Sequence, residues 1–146
     1  MKGEPVRYNY ATQLEWTGEK KGVLRSKGKP DITVACPPEF GGHPNIWSPE
    51  DIFLASVEIC TMTTLLWFTN KEHITLKSYE SVASGTVELI GGVFQFSSIT
   101  VKLDICVSSE DDRIRVGRMI KKVERACLVT NSITTNINIE SEIVIE

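Results

Sequence analysis

The first third of the chain alternates between apolar and polar residues in short runs, a pattern typical of β-strands. These runs cover residues 6–10, 14–16, 23–24 and 32–34. A polar, glycine-bounded turn at residues 17–22 separates the second run from the third. Residues 36–44 are predicted to form a loop, because their prolines lack the backbone donor that a central strand requires.

A helix start follows the loop. Ser48 supplies a capping hydroxyl, Pro49 occupies the first helical position, and Glu50 and Asp51 lie against the positive end of the helix dipole. Residues 52–68 are then apolar on nearly every helical face. Such a segment is typical of a helix that is buried on most sides, and Cys60 lies in its middle. We therefore predict a long buried central helix.

The second half of the chain predicts a hairpin, an amphipathic helix and a closing strand. Residues 81–89 and 94–107 alternate around a Gly91-Gly92 turn, and residues 109–112 resemble a helix cap. The second helix has an inward stripe formed by Val116, Met119, Ile120, Val123 and Cys127. Its opposite face carries basic residues and is interpreted as a solvated face. Residues 137–145 alternate again, which completes an α+β layout in a single domain of residues 1–146.

Composition narrows the classes of function. The 146 residues are 41% hydrophobic and 24% charged, with a formal net charge of −3, as in an ordinary globular protein. No block of lysine and arginine stands out, which argues against a nucleic-acid partner. The first residues lack the apolar core of a signal peptide, and no apolar run approaches the ~20 residues of a membrane helix. We expect a cytoplasmic protein with no membrane partner.

The four cysteines, Cys36, Cys60, Cys106 and Cys127, are too few and too scattered for a disulfide scaffold. They form no Cys-x-x-Cys pair, and the chain has two histidines, so a structural zinc site is not expected. Two interpretations of these thiols remain: they are inert residues of the core, or they take part in redox chemistry.

Three segments resemble the OsmC/Ohr family of hydroperoxide reductases. Residues 48–60 (SPEDIFLASVEIC) are similar to the family's Asn-Pro-Glu-x-Leu-hydrophobic-Ala-Ala pattern, with a cysteine ten positions after the glutamate. Residues 124–133 (ERACLVTNSI) resemble its second-cysteine segment. The turn at residues 18–22 and the segment at 38–42 occupy the family's loop-and-strand position before the Pro-Glu motif.

The resemblance implies an OsmC-like fold, with antiparallel sheets around the central helix and a second amphipathic helix, in an intertwined homodimer with interfacial active sites. It also implies a thiol peroxidase that reduces organic hydroperoxides in oxidative-stress defence, with hydrogen peroxide as an open second substrate. By the same resemblance, Cys60 is the peroxidatic cysteine, Cys127 the resolving cysteine and Glu50 the motif glutamate. A dithiol, whether a small molecule, a lipoyl group or a protein, would reopen the disulfide. The chemistry needs no metal, flavin or haem cofactor.

Two positions depart from the family pattern. The organic-hydroperoxide branch uses an arginine in the early turn to hold the thiolate, whereas this chain has Lys20 and Lys21, with Arg25 as a shifted candidate. Leu128 stands where many relatives have proline. Because of these departures, an alternative to the peroxidase remains open: a non-catalytic stress or small-molecule-binding protein of the same fold. A third interpretation is a purely structural dimer module.

The distance between Glu50 and Cys60 limits how the two residues can share one site. Ten residues of helix rise by about 15 Å, so Glu50 does not reach Cys60 along one continuous helix. If both serve one site, either the chain bends between them or a second subunit supplies one group. Glu50 has a plain alternative role as an acid at the helix start, and Cys36 and Cys106 are interpreted as structural.

Overall fold

The computed structural model describes residues 3–146, which form two compact units divided between Ile52 and Phe53. The first unit holds strands β1 (Gln13–Gly18), β2 (Lys21–Arg25) and β3 (Ile32–Ala35), and a short 3₁₀ turn at Pro38–Phe40. Helix α1 (Pro49–Lys71) begins at the end of this unit and continues in the second. The second unit contains β4 (Ser78–Ile90), β5 (Val93–Val107), α2 (Glu110–Ala126), α3 (Leu128–Asn131) and β6 (Asn136–Ile145). The expectation of a single domain stays a prediction.

The sheet of the first unit is antiparallel, in the order β1-β2-β3. Glu19 adopts a positive φ of 51° in the turn between β1 and β2, and its carbonyl accepts a hydrogen bond of 2.8 Å from the Trp16 indole. The strand predicted at residues 6–10 is wrong, because these residues pair with no strand in the described chain and their side chains are exposed. Weak alternation over five residues therefore did not specify a strand.

The start of α1 is capped as the sequence predicts. The Asp51 N–H donates to Ser48 Oγ at 3.1 Å, while the Ser48 N–H donates to Asp51 Oδ2 at 2.9 Å. These reciprocal bonds satisfy backbone donors that a helix start otherwise leaves without partners. Local hydrogen bonds thus define the start of the helix.

The sheet of the second unit has the order β4-β5-β6. The β4–β5 hairpin turns through Gly91 and Gly92, whose φ values of 59° and 81° suit glycine. Strand β6 runs parallel to β5, so the sheet is mixed and the expectation of purely antiparallel sheets needs this correction. The physical reason is that α2 and α3 form a helical crossover between β5 and β6, the connection that parallel neighbours require.

The core of the second unit lies between this sheet and the helices. Its buried apolar side chains are Val57, Leu65, Ile74, Ile99, Val101, Leu103, Ile105, Val107, Val116, Met119, Ile120 and Val123. The last four confirm the predicted inward stripe of α2. The α+β class and the predicted order of elements are confirmed.

Helix α1 is less buried than its sequence predicts. Val57, Thr61, Leu65 and Thr69 form its buried face, and the face containing Ile59 and Trp67 leaves these side chains 59% and 57% exposed. With 23 residues, α1 is also long and apolar enough to cross a membrane, contrary to the expectation that no segment approaches that length. Its buried face packs into the protein core, which is the role that the structure assigns to it.

Candidate active site

Cys60 lies in the middle of α1 and is half-buried. Its sulfur is 3.9 Å from Oγ1 of Thr64, one helical turn further along the same face. Leu65 on the same helix is fully buried, so packing in the core fixes the orientation of this part of α1. The Cys60 thiol is therefore held by a rigid element and remains partly accessible.

Cys127 is fully buried and lies at the junction of α2 and α3. Its N–H donates to the Val123 carbonyl and its own carbonyl accepts from the Asn131 N–H, both at 2.9 Å. Its burial agrees with the predicted inward position, but α2 ends at Ala126 and Cys127 caps this helix with an extended backbone (φ −65°, ψ 114°). Cys127 is therefore the residue that joins α2 to α3.

The structure places the thiols of Cys60 and Cys127 close enough for each to shift the pKa of the other. Burial raises the pKa of the Cys60 thiol, but hydrogen bonds from the Cys127 thiol, the Val129 N–H, the Thr64 hydroxyl and the Leu128 N–H outweigh it. The pKa of Cys60 is therefore lower than that of an ordinary cysteine. Since the thiolate is the reactive form, these donors make Cys60 the better nucleophile of the pair.

The pKa of Cys127 is shifted in the opposite direction. Burial raises it most, and the neighbouring Cys60 raises it further, both as a hydrogen-bond partner and as a negative charge. Hydrogen bonds with Thr130 offset part of this effect. Of the two thiols, Cys127 thus holds its proton more strongly and Cys60 ionises more readily.

A cavity of about 350 Å³ lies beside the thiol pair and is lined by Thr63, Thr64, Trp67, Phe68 and Ala126. Thr64 also contacts the Cys60 sulfur, and Ala126 precedes Cys127. The Trp67 and Phe68 rings meet edge to face, with centroids 5.0 Å apart. The cavity therefore offers an aromatic wall for an apolar group next to the thiols.

Glu50 lies in the first turn of α1, and its Oε2 atom is buried without a hydrogen-bond partner among residues 3–146. Burying a carboxylate oxygen without a hydrogen-bond donor is unfavourable for the free energy of folding, and the described residues supply no such donor here. Helix α1 is continuous from Pro49 to Lys71, so Glu50 and Cys60 lie on the same helix, ten residues apart.

Lys20 and Lys21 have partners within the first unit. The Lys20 ammonium donates to the Phe40 carbonyl at 3.0 Å, and Lys21 forms an ion pair of 3.0 Å with Glu19. Both lysines line a second cavity of about 270 Å³ in that unit, together with Leu14, Trp16, Gly22, Val34, Ala35, Cys36 and Pro49. The role of either lysine toward Cys60 stays a prediction.

Arg25, the shifted candidate, is engaged by two acids. Its guanidinium lies 2.7 Å from Glu15 and 3.2 Å from Asp31, and these hydrogen bonds raise its pKa. Both acids lie within the sheet of the first unit or at its edge, so Arg25 has a structural role there.

All four cysteines are free thiols. The Cys36 thiol lies 3.6 Å from the Phe40 carbonyl, and Cys106 is buried in β5. Within residues 3–146, no group of three or more His, Cys, Asp or Glu side chains is arranged to hold a metal ion.

Three parts of this site were not predicted from the sequence: the hydroxyl of Thr64 and the N–H groups of Leu128 and Val129. A signal existed for Thr64, because positions i and i+4 share a helix face and Thr64 follows Cys60 by four. Backbone donors leave no such signal, since any residue type could supply them.

Comparisons with known proteins bear on the family and the fold of the chain. A family model described as "OsmC-like protein" matches residues 42–142. Among curated proteins, the uncharacterized protein YmaD of Bacillus subtilis (strain 168) is 21% identical over 140 residues, covering 92% of this chain and 93% of YmaD.

Solved structures share the fold at low sequence identity. An OsmC-like protein of unknown function from Vibrio cholerae is similar with a TM-score of 0.85 at 16% identity, covering 93% of this chain and 100% of that one. An organic hydroperoxide resistance protein from Elizabethkingia anophelis is similar with a TM-score of 0.73 at 19% identity, covering 97% and 99% of the two chains. At these identities the likeness shows the fold alone.

Proposed function

The chain belongs to the OsmC-like protein family, and from that premise we propose that it is a thiol-dependent peroxidase that reduces organic hydroperoxides. The observation that carries the proposal is the contact between Cys60 and Cys127, with the pKa of Cys60 lowered and that of Cys127 raised. A two-cysteine peroxidase needs this asymmetry, because one thiol must attack as thiolate while the other waits in protonated form.

The reaction begins when the Cys60 thiolate attacks the terminal oxygen of the hydroperoxide. A sulfur–oxygen bond forms, the O–O bond breaks, and the departing alkoxide takes a proton to become an alcohol. Sulfur is oxidised by two electrons to a sulfenic acid and the peroxide is reduced by two. The Cys127 sulfur then attacks the sulfenic sulfur, which releases water and leaves a Cys60–Cys127 disulfide. A dithiol reductant reopens it by thiol–disulfide exchange and is itself oxidised to a disulfide.

The opposite pKa shifts also give the two steps an order. The negative charge on Cys60 contributes to the raised pKa of Cys127. Attack on the peroxide converts that thiolate to a neutral sulfenic acid and removes the charge. Cys127 then ionises more readily, at the stage when its thiolate is required.

Organic hydroperoxides are the proposed substrate class because the cavity beside the thiols has an aromatic wall formed by Trp67 and Phe68. Burying an apolar substituent there contributes roughly 25 cal/mol per Å² of apolar area removed from water. Hydrogen peroxide has no such substituent and gains nothing from this wall. The name of the Elizabethkingia anophelis relative, an organic hydroperoxide resistance protein, supports the same class.

The test is consumption of tert-butyl hydroperoxide by the reduced protein in the presence of a dithiol. Sustained turnover, faster than with hydrogen peroxide, is the expected result. If the protein consumes no peroxide while its four thiols remain intact, the alternative of a non-catalytic stress or small-molecule-binding protein replaces this proposal.

We propose that Lys20 or Lys21 adds a positive charge to the environment of the Cys60 thiolate. Replacing both with methionine should then raise the pKa of Cys60 and slow its alkylation near neutral pH, since a nearby cation favours the thiolate. Peptide-resolved mass analysis of iodoacetamide labelling measures this rate. Unchanged labelling kinetics would remove both lysines from the site.

We also propose that the chain is a homodimer with an interfacial site. The exposed face of α1, with Ile59 and Trp67, is an apolar surface of the kind that a partner chain covers. The buried, unpartnered Oε2 of Glu50 is consistent with a second copy completing its environment. Light scattering at micromolar concentration should report twice the chain mass of 16.3 kDa. A monomer at that concentration would contradict both the dimer and the interfacial site.

A further inference from the structure

The four threonines of α1 do not use their hydroxyls alike. Three of them donate back to a carbonyl of the preceding turn: Thr61 to Val57 at 2.8 Å, Thr63 to Ile59 at 3.0 Å and Thr69 to Leu66 at 3.1 Å. This is the usual behaviour of threonine within a helix. The Thr64 hydroxyl instead faces the sulfur of Cys60 at 3.9 Å.

Thr64 occupies a position between the reacting sulfur and the substrate cavity. Its hydroxyl contacts Cys60 Sγ, and its side chain lines the 350 Å³ cavity with Trp67 and Phe68. A hydroperoxide whose organic group lies in that cavity has Thr64 as a neighbour that it shares with the sulfur. Both the nucleophile and the incoming oxygen are thus within reach of one hydroxyl.

We propose that Thr64 is a further catalytic residue, whose hydroxyl donates to the Cys60 thiolate before the reaction and to the peroxide oxygens during it. The inference rests on the proposed peroxidase function and assigns a role that the family motifs do not cover. In this role the Thr64 hydroxyl acts as a neutral hydrogen-bond donor. Together with the N–H groups of Leu128 and Val129 and the thiol of Cys127, Thr64 surrounds the sulfur with hydrogen-bond donors from α1 and from the α2–α3 junction.

The chemistry follows from what a hydroxyl can do. In the resting site Thr64 donates its hydrogen to the thiolate, which increases the fraction of Cys60 that is ionised at neutral pH. As the S–O bond forms, charge leaves the sulfur and develops on the departing alkoxide oxygen. The same hydroxyl can rotate to donate there, which stabilises the charge where it develops. Thr64 keeps its own proton at the end, because the alkoxide is protonated by water.

The test compares three substitutions at this position. Thr64→Val keeps the shape and removes the hydroxyl, Thr64→Ala removes it with a smaller side chain, and Thr64→Ser keeps it. A matched control is Thr69→Val, which makes the same chemical change on the same helix at a hydroxyl bonded to the backbone. Two rates are measured for each variant: iodoacetamide labelling of Cys60 as a function of pH, and consumption of tert-butyl hydroperoxide.

The expected result for Thr64→Val and Thr64→Ala is labelling of Cys60 that is about fivefold slower at neutral pH, with its midpoint moved to higher pH. Peroxide consumption should fall by at least the same factor, since Thr64 acts in both states. Thr64→Ser should restore both rates, and Thr69→Val should match the unsubstituted protein. Cys127 is the titratable group among the residues that shift the pKa of Cys60, so its labelling is followed in the same digests.

Two outcomes would overturn the inference: a labelling profile that is unchanged in Thr64→Val and Thr64→Ala, or a Thr64→Ser variant as slow as they are. A third is slower labelling without any loss of peroxide consumption, which would deny Thr64 a catalytic role. Failure of the peroxidase proposal is distinguishable, because the unsubstituted protein would then consume no peroxide whatever the labelling profile shows.

Discussion

Replacing Cys60 with serine is expected to abolish consumption of organic hydroperoxides. A serine hydroxyl stays protonated at neutral pH and cannot be oxidised to a sulfenic acid, so both the attack and the electron transfer are lost. Removal of an enzyme's nucleophile lowers turnover by several orders of magnitude, and we expect a loss on the order of 10³-fold or more. The measurement is tert-butyl hydroperoxide consumption with excess dithiol.

The matched control is Cys36→Ser, the same change at a thiol that bonds to the Phe40 carbonyl in the first unit. That variant should retain the activity of the unsubstituted protein. A Cys60→Ser variant that still turned over, or a Cys36→Ser variant that lost activity to the same extent, would place the nucleophile elsewhere.

Replacing Cys127 with serine is expected to separate the first oxidation from the rest of the cycle. Cys60 should still react once, because the Thr64 hydroxyl and the N–H groups of Leu128 and Val129 continue to favour its thiolate. No disulfide can then form with residue 127, so the sulfenic acid persists and a second equivalent of peroxide converts it to sulfinic acid.

Intact-mass and peptide analysis measure this outcome. Cys60 should gain two oxygen atoms in Cys127→Ser, while in the unsubstituted protein it should lose hydrogen to a disulfide. Sustained turnover by Cys127→Ser at the original rate would show that the reductant resolves the sulfenic acid directly, and Cys127 would then have no resolving role.

Much of the fold could be predicted because its signals are local. The start of α1 follows from Ser48 and Asp51, which bond to each other's backbone N–H groups, and the β4–β5 turn from two adjacent glycines. The stripe of α2 follows from helical periodicity. The direction of β6 does not follow from alternation, because a strand alternates equally in a parallel and an antiparallel pair.

The site could be predicted in part. The spacing within the α1 segment and the context of the second cysteine indicated Cys60 and Cys127, and the structure brings these two thiols together. The sequence predicts Cys127 within a helix, whereas it lies at the cap of α2. The residue at which a helix ends is only weakly specified by the local sequence, and here it decides where the Cys127 side chain lies. The donors that lower the pKa of Cys60 depend on that cap and could not be read from residue types.

The disulfide that forms on exposure to an organic hydroperoxide is a direct test of the proposed mechanism, in which Cys60 reacts with the peroxide and Cys127 resolves the product. The reduced protein is treated with one equivalent of tert-butyl hydroperoxide, its remaining thiols are alkylated, and the digest is mapped without reduction. We expect a Cys60–Cys127 disulfide with Cys36 and Cys106 alkylated, because the Cys60 and Cys127 thiols lie close enough for each to shift the pKa of the other. A disulfide joining Cys60 to Cys36 or Cys106, or no oxidation of Cys60 at all, would contradict it.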